Sequence, residues 1–372
     1  MIGKMKFVRA RATTTRLMGV VGLVATWQDL KGQEVVQVYH LDYESYGIDG
    51  FHHFINPDPD ELSQVVLGVT GGLGGTFVEI TESEFVFLIK SAYVVDEGCL
   101  DALVDFESFE EIFETLYVDL SESEEIALYR KLTPEMVNDE MCIHYFVMRY
   151  VGCDYPGAML LWKDGAIDPV FELMHAPHTL IKNTCALIEV KSGKKLYRVE
   201  ALVDFETKYK LIVISVEVCA DTRQILSAEL LETLTISSTE AAFNLSKPEY
   251  MMVMQAQDSF FERRFVRDNP ELMKQTYIQG NLYIEFNPDN AHVAENPYYL
   301  NGDIYALYFF GYSGQVIVCT MTPETLGEID QMLENRHAYE ESLSFICELK
   351  TDDPVLYTYI NSGYDNLFDF LK

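Results

Sequence analysis

Apolar residues recur along this chain in two rhythms, helical spacing through much of 58–150 and short β-rich runs from 183 onward. In the first region Asp58-Pro-Asp-Glu61 combines a capping carboxylate with proline at the first helical position, and Leu62, Val65 and Val66 follow on one face. A short helix ending near Gly68 is predicted. Capping boxes at Thr81/Glu84 and Ser108/Glu111 precede Phe85, Leu88 and Ile89, then Ile112, Phe113 and Leu116, at helical spacing. The clearest helix is expected to start at Thr133-Pro-Glu135 and stop near Gly152, with Met136, Ile143, Phe146, Val147 and Tyr150 in one broad apolar stripe.

The β-rich runs cover 186–190, 195–205, 209–218 and 225–234, broken at Ser192-Gly193, around Glu206 and at Ala220-Asp221. That punctuation predicts an antiparallel meander. Ser237/Glu240 then caps a short helix, 282–321 reads as a second β-rich stretch, and Thr322-Pro-Glu324 opens a helix carrying Leu326, Ile329 and Leu333. Near the N-terminus the apolar run 17–27 and the partly alternating run 34–43 flank a turn at 29–33, which predicts a β-hairpin. The expected class is α+β, with an N-terminal β-hairpin and helix-rich region, then an antiparallel β-meander with flanking helices. Two domains are expected, 1–155 and 156–372, because Gly152, Pro156, Gly157, Gly165, Pro169 and Pro177 interrupt every periodic pattern between 152 and 177.

Ala102-Leu-Val-Asp-Phe-Glu-Ser108 nearly repeats as Ala201-Leu-Val-Asp-Phe-Glu-Thr207. The first copy runs toward a capped helix and the second toward a strand, whereas true repeats share their following element, so duplication is not inferred.

Composition changes this picture in two ways. Hydrophobic residues make up 48% of the chain and aromatic residues 13%, enough apolar surface to offset the entropy of folding, so the charge does not signal disorder. Acidic side chains outnumber basic ones 59 to 27, a net charge of −32. Such a chain repels phosphate backbones and anionic membrane surfaces, so neither nucleic acid nor a membrane is expected as a direct partner.

The seven cysteines, Cys99, Cys142, Cys153, Cys185, Cys219, Cys319 and Cys347, are odd in number and scattered. They read as reduced, mostly buried thiols and place the chain in the cytoplasm. Lys4, Lys6, Arg9, Arg11 and Arg16 before the apolar run 17–27 imitate a signal peptide. The run falls far short of the ~20 apolar residues that span a bilayer, and the hairpin explains it better.

The residues Gly68-Val-Thr-Gly-Gly-Leu-Gly-Gly-Thr76 resemble the Val-Thr-Gly-Gly loop of short-chain dehydrogenases, and Gly71, Gly72, Gly74 and Gly75 are the candidates for close approach to a phosphate. That family places its loop between a strand and a helix. Here a capped helix precedes the loop and the strand-like Phe77-Val-Glu-Ile80 follows, and the chain lacks the Tyr-x-x-x-Lys pair the resemblance implies. A helix stop followed by close backbone packing is the plainer reading.

His175-x-x-His178 and His52-His53 lack a third ligand at metal-binding spacing, so no metal is assigned. Asp58/Asp60/Glu61 and Asn287-Pro-Asp289-Asn290 lack the spacing of a calcium loop. Gly311-Tyr-Ser-Gly314 lacks the last glycine of a nucleophile elbow and reads as a hairpin turn around Ser313. A basic island, Arg263, Arg264 and Arg267, stands among Phe260, Phe261 and Phe265. It offers guanidinium forks to an anionic ligand or acidic partner, or else pairs with the chain's own carboxylates.

No catalytic residue and no cofactor is assigned. The leading expectation is a non-catalytic interaction or regulatory protein whose partner is another protein, with self-association through exposed sheet edges left open. Two alternatives stand beside it. One is an enzyme whose site in a cleft between domains leaves no local motif, and the other is an acidic mimic of nucleic acid that occupies a basic protein.

Overall fold

A computed structural model describes residues 5–44, 46–95, 120–163, 178–205, 208–245, 248–288, 298, 300–335, 339 and 342–372. Packing divides the chain into two units, Met1–Thr70 with Gly75–Phe243, and Gly71–Gly74 with Asn244–Lys372. Of the segment 152–177, where a boundary is expected, residues 164–177 lie outside the described residues. So do the Ser108/Glu111 box, the Ala102–Ser108 copy of the internal echo and His175.

The first unit opens with β1 (Lys6–Thr13), β2 (Val20–Gln28), β3 (Glu34–Asp42), β4 (Gly47–Ile55), α1 (Pro59–Thr70) and β5 (Phe77–Ile80). The five strands form one sheet in the order β4-β3-β2-β1-β5, antiparallel throughout. The predicted hairpin is β2–β3, in register from Val20↔Asp42 to Gln28↔Glu34. Its turn is tied by Asp29, whose Oδ1 accepts from the N–H groups of Lys31 and Gln33 at 2.8 Å each. Both strands lie inside the sheet and are buried on both faces, so their apolar runs show little alternation.

One face of this sheet is covered by α1, whose Leu62, Val66 and Val69 pack with Val24, Val36 and Val38. The other face meets α2 (Glu82–Tyr93) and α3 (Glu122–Lys131) through Phe85, Leu88, Ile89, Leu128 and Tyr129. Trp27 anchors that core, edge-on to Phe85 at 5.6 Å, with its indole N–H donated to Gln37 at 3.0 Å.

The Asp58 cap and the Thr81/Glu84 box stand as predicted. Two boundaries differ from expectation. Helix α1 continues past Gly68 to Thr70, whose hydroxyl donates back to the Val66 carbonyl at 2.7 Å. The long helix α4 (Asp139–Val151) begins after Asn138 rather than at Thr133-Pro-Glu135. Asn138 Oδ1 accepts from Met141 N–H at 2.7 Å, so it satisfies the first-turn donor that the Thr133 reading leaves open.

After α5 (Tyr155–Met159) come β6 (Leu180–Lys191), β7 (Lys194–Phe205), β8 (Lys208–Cys219) and β9 (Ile225–Ile236). They are the predicted antiparallel meander, in the order β6-β7-β8-β9. Its inner face buries Val199, Ala201, Ile212, Ile214 and Val216. Asp139 of α4 accepts from Lys195 Nζ at 2.6 Å and from Tyr197 Oη at 2.7 Å, which pins this helix to β7.

Helix α6 (Ser238–Leu245) is capped by Ser237 and Glu240 as expected. The second unit holds β10 (Glu249–Ala256), α7 (Phe261–Asp268), β11 (Met273–Tyr277), β12 (Gly280–Phe286), β13 (Ile304–Gly311), β14 (Gln315–Thr320), α8 (Pro323–Asn335), β15 (Leu343–Thr351), α9 (Leu356–Ile360) and α10 (Leu367–Phe370). Its six strands run β11-β12-β13-β14-β10-β15, all antiparallel. Phe261 and Phe265 of α7, with Leu326, Ile329 and Leu333 of α8, join Met252, Tyr308, Phe310 and Val318 in one core. Gly311–Gly314 is the β13–β14 turn, with Gly314 at φ +86°. The fold is therefore α+β with antiparallel sheets.

Candidate functional site

The basic island lies on α7, the helix that buries Phe261 and Phe265. Arg264 is held at both ends of its guanidinium, Nη1 donating to Asp258 and Nη2 to the Ser342 hydroxyl, each at 2.6 Å. Arg267 reaches its neighbour Asp268 at 3.1 Å, and the Arg263 guanidinium stands 5.8 Å from the Phe260 ring. Carboxylates of the same chain thus already engage two of the three arginines.

The glycine loop follows the C-terminal end of α1, where carbonyls rather than N–H groups are left over. Gly71–Leu73 is a 3-10 turn and Gly74 has φ +69°. A Cβ on Gly74 would lie 2.8 Å from Gln275 Nε2, and one on Gly75 would lie 2.5 Å from Thr15 Cγ2. These glycines are explained by backbone conformation and tight packing.

His52 and His53 are on β4, where His52 stacks with Phe54. Among the described residues no three His, Cys, Asp or Glu side chains are grouped to hold a metal ion. The described cysteines are free thiols, and Cys142, Cys219 and Cys319 are buried. Hydrogen bonds from Thr222 bring the Cys219 thiol down to about 7, helped by Lys163 Nζ at 3.4 Å.

Three features escaped the sequence reading. The first is a buried charge cluster. Arg16, in the 3-10 turn before β2, forks onto Asp154 with Nη1–Oδ2 at 2.5 Å and Nη2–Oδ1 at 2.7 Å. Arg149 of α4 adds a contact to Asp154 Oδ2 at 3.4 Å and reaches Glu44 at 2.7 Å. Asp154 also accepts from the Gly157 N–H at 3.1 Å, and the rings of Tyr43 and Tyr129 lie 3.9 and 4.7 Å from the Arg16 guanidinium carbon. Burial alone would raise the Asp154 pKa, but the charge and hydrogen bonds of Arg16 outweigh it and the net shift is downward. Glu44 moves upward, because its burial outweighs the pull of Arg149. Both oxygens of Asp154 are occupied, and Arg16, Arg149 and Asp154 are buried while Glu44 stays partly exposed, so the cluster staples the turn to α4 and α5.

The second feature is a groove of about 90 Å³ on the α1 side of the five-stranded sheet. Arg9 and Arg11 of β1, Val24 and Thr26 of β2, Glu34 and Val36 of β3, and Leu62 line it. The signal was present in sequence, since Arg9 and Arg11 alternate with Ala10 and Ala12 and so share one face of a strand.

The third feature is a pair of apolar sheet edges. Edge strand β6 leaves Leu187, Ile188 and Val190 more than half exposed, at 52, 59 and 63%, around a register shift between Leu187 and Glu189. On the opposite edge, β9 exposes Leu231 and Leu234. Among the described residues no strand pairs with the outer side of β6.

No known protein family, curated protein or solved structure matches this chain. Among the described residues no helix is long and apolar enough to cross a membrane.

Proposed function

We propose that the protein is a non-catalytic cytoplasmic interaction module that docks a protein partner on the outer edge of β6. The observation that carries this reading is the set Leu187, Ile188 and Val190, three apolar side chains in solvent within four positions of an edge strand. An unpaired edge offers backbone donors and acceptors, and clustered apolar side chains mark interaction surfaces. Glu189 and Lys191, joined at 2.7 Å, interrupt the apolar run with charge. Such gatekeepers and the register shift resist indiscriminate edge pairing, which suits selective docking better than open-ended assembly.

The test is affinity capture with the full chain, beside a variant carrying Leu187→Lys, Ile188→Glu and Val190→Lys. The wild type is expected to retain a specific protein at about 0.5 M salt, where exposed charges are screened. The variant should lose at least about tenfold in affinity, about 1.4 kcal/mol, with its thermal unfolding unchanged. Undiminished capture by the variant would remove β6 as the docking edge. Binding abolished by salt would favour the mimic of nucleic acid instead.

A further inference from the structure

The groove on the first unit's five-stranded sheet has a chemistry that the β6 edge does not explain. Acidic residues outnumber basic ones 59 to 27, so a guanidinium on this protein meets carboxylates readily. Arg16, Arg149, Arg198, Arg264 and Arg267 all do so. Among the described residues Arg9 and Arg11 form no ion pair, although both are exposed and each strand position beside them is settled by the sheet. Arg9 stands opposite Thr26, and Arg11 lies between Val24 of β2 and Glu79 of β5. Two residues apart on one strand, they project from the same face about 7 Å from each other. The alternating Ala10 and Ala12 are buried on the opposite face, which prevents either arginine from turning inward.

We propose that this groove binds the oxyanion head of a small organic acid, a carboxylate or a phosphate ester, between Arg9 and Arg11. The Arg11 guanidinium carbon lies 4.4 Å from the Phe77 ring centroid, within cation–π range, a contact that restrains the side chain without using its N–H donors on a carboxylate. Two such forks and the Thr26 hydroxyl supply the charge-assisted donors that carboxylate and phosphate oxygens accept. Val24, Val36 and Leu62 make an apolar floor for the first carbons behind the head group. Glu34 closes the lining with a carboxylate, so the groove favours a ligand carrying a hydroxyl or ammonium donor there and repels a second anionic group. A volume of about 90 Å³ admits a head group of this kind. It is smaller than the about 300 Å³ and more of pockets that engulf a drug-sized ligand, so the groove holds the head group and not the whole of a larger molecule.

The test uses the full chain, titrated with inorganic phosphate and with lactate at a matched ionic strength of about 0.1 M. Resonances of the arginine Nε–H groups report contact directly in the wild type, without reliance on any variant's folding. Saturable shifts confined to Arg9 and Arg11 are expected with at least one of the two probes, and which one distinguishes a phosphate from a carboxylate ligand. Arg11→Gln should weaken that binding at least about tenfold, about 1.4 kcal/mol, whereas Arg263→Gln should leave it unchanged. Glu34→Gln should strengthen the binding of inorganic phosphate. Shifts that fail to saturate, or that match those produced by chloride, would overturn the proposal. Equal binding by wild type and Arg11→Gln would do the same. None of these measurements involves β6, so the two readings stand or fall separately.

Discussion

At the scale of single residues, Asp154 concentrates more interactions than any motif visible in the sequence. It is surrounded by Arg16, Arg149 and the Gly157 N–H, and Gly19 is shaped around the same group. Gly19 takes φ +84°, and a Cβ there would fall 2.0 Å from Arg149 Nη1, so only glycine both turns the chain and admits the guanidinium. Removing one member of a buried ion pair strands the others, a loss of about 3–5 kcal/mol. Asp154→Asn should therefore lower the free energy of urea unfolding by that order while leaving groove titrations measurable. The pH dependence has a definite sign. The folded-state pKa of Asp154 lies below the ordinary value, so its contribution is complete above the unfolded carboxylate range and is lost as pH falls through the folded value. Acid unfolding curves of wild type and variant should accordingly converge below about pH 4. A constant gap down to low pH would mean that the carboxylate's charge is not what matters.

At the scale of elements, what was legible depended on how local the determining chemistry is. The β2–β3 hairpin and the β6–β9 meander were readable because their turns, Asp29–Gln33 and Ser192-Gly193 among them, are written in adjacent residues. The caps of α1, α2 and α6 were readable for the same reason. Strand β1 was obscured, since Arg9 and Arg11 look like a charged prefix until their alternation with buried alanines is set against the register of β2. The start of α4 was misplaced because Thr133-Pro-Glu135 and Asn138 both offer helix-start chemistry, and only the hydrogen bond to Met141 decides between them. The charge cluster was not legible at all, because Arg16 and Asp154 are 138 positions apart.

Helix α9 shows a cap of this long-range kind. Glu249, buried at the start of β10, accepts from the N–H groups of Val355 and Leu356 at 2.8 and 2.9 Å. A carboxylate there satisfies two first-turn donors and meets the positive end of the helix dipole. Glu249→Ala should cost about 1–3 kcal/mol and selectively raise amide exchange over 355–360. Unchanged exchange in that segment would show that apolar packing of Leu356 and Tyr359 suffices to hold α9.

At the scale of the molecule, a chain with net charge −32 must hold its carboxylates with few cations available. Tyrosine hydroxyls supply part of the deficit, and the sequence contains 23 tyrosines. Tyr197 donates to Asp139, Tyr283 to Glu262, Tyr305 to Glu328 and Tyr339 to Asp268, at 2.6–2.9 Å, and Tyr308 donates to Glu285 at 2.5 Å. A neutral donor stabilises a carboxylate at hydrogen-bond range and contributes nothing to the long-range field. The surplus negative charge therefore remains as self-repulsion across the surface. These two contributions respond differently to salt. Raising ionic strength from 0.01 to 0.1 M shortens the screening length from about 30 to about 10 Å, which weakens the long-range repulsion and leaves tyrosine–carboxylate bonds at hydrogen-bond range intact. The midpoint of thermal unfolding should accordingly rise with sodium chloride, by about 2–4 °C for each kcal/mol of repulsion removed. A midpoint that falls with salt would mean that exposed ion pairs such as Lys194–Glu217 and Lys131–Glu84 outweigh the repulsion, and that tyrosine is not the main answer to the acidic excess.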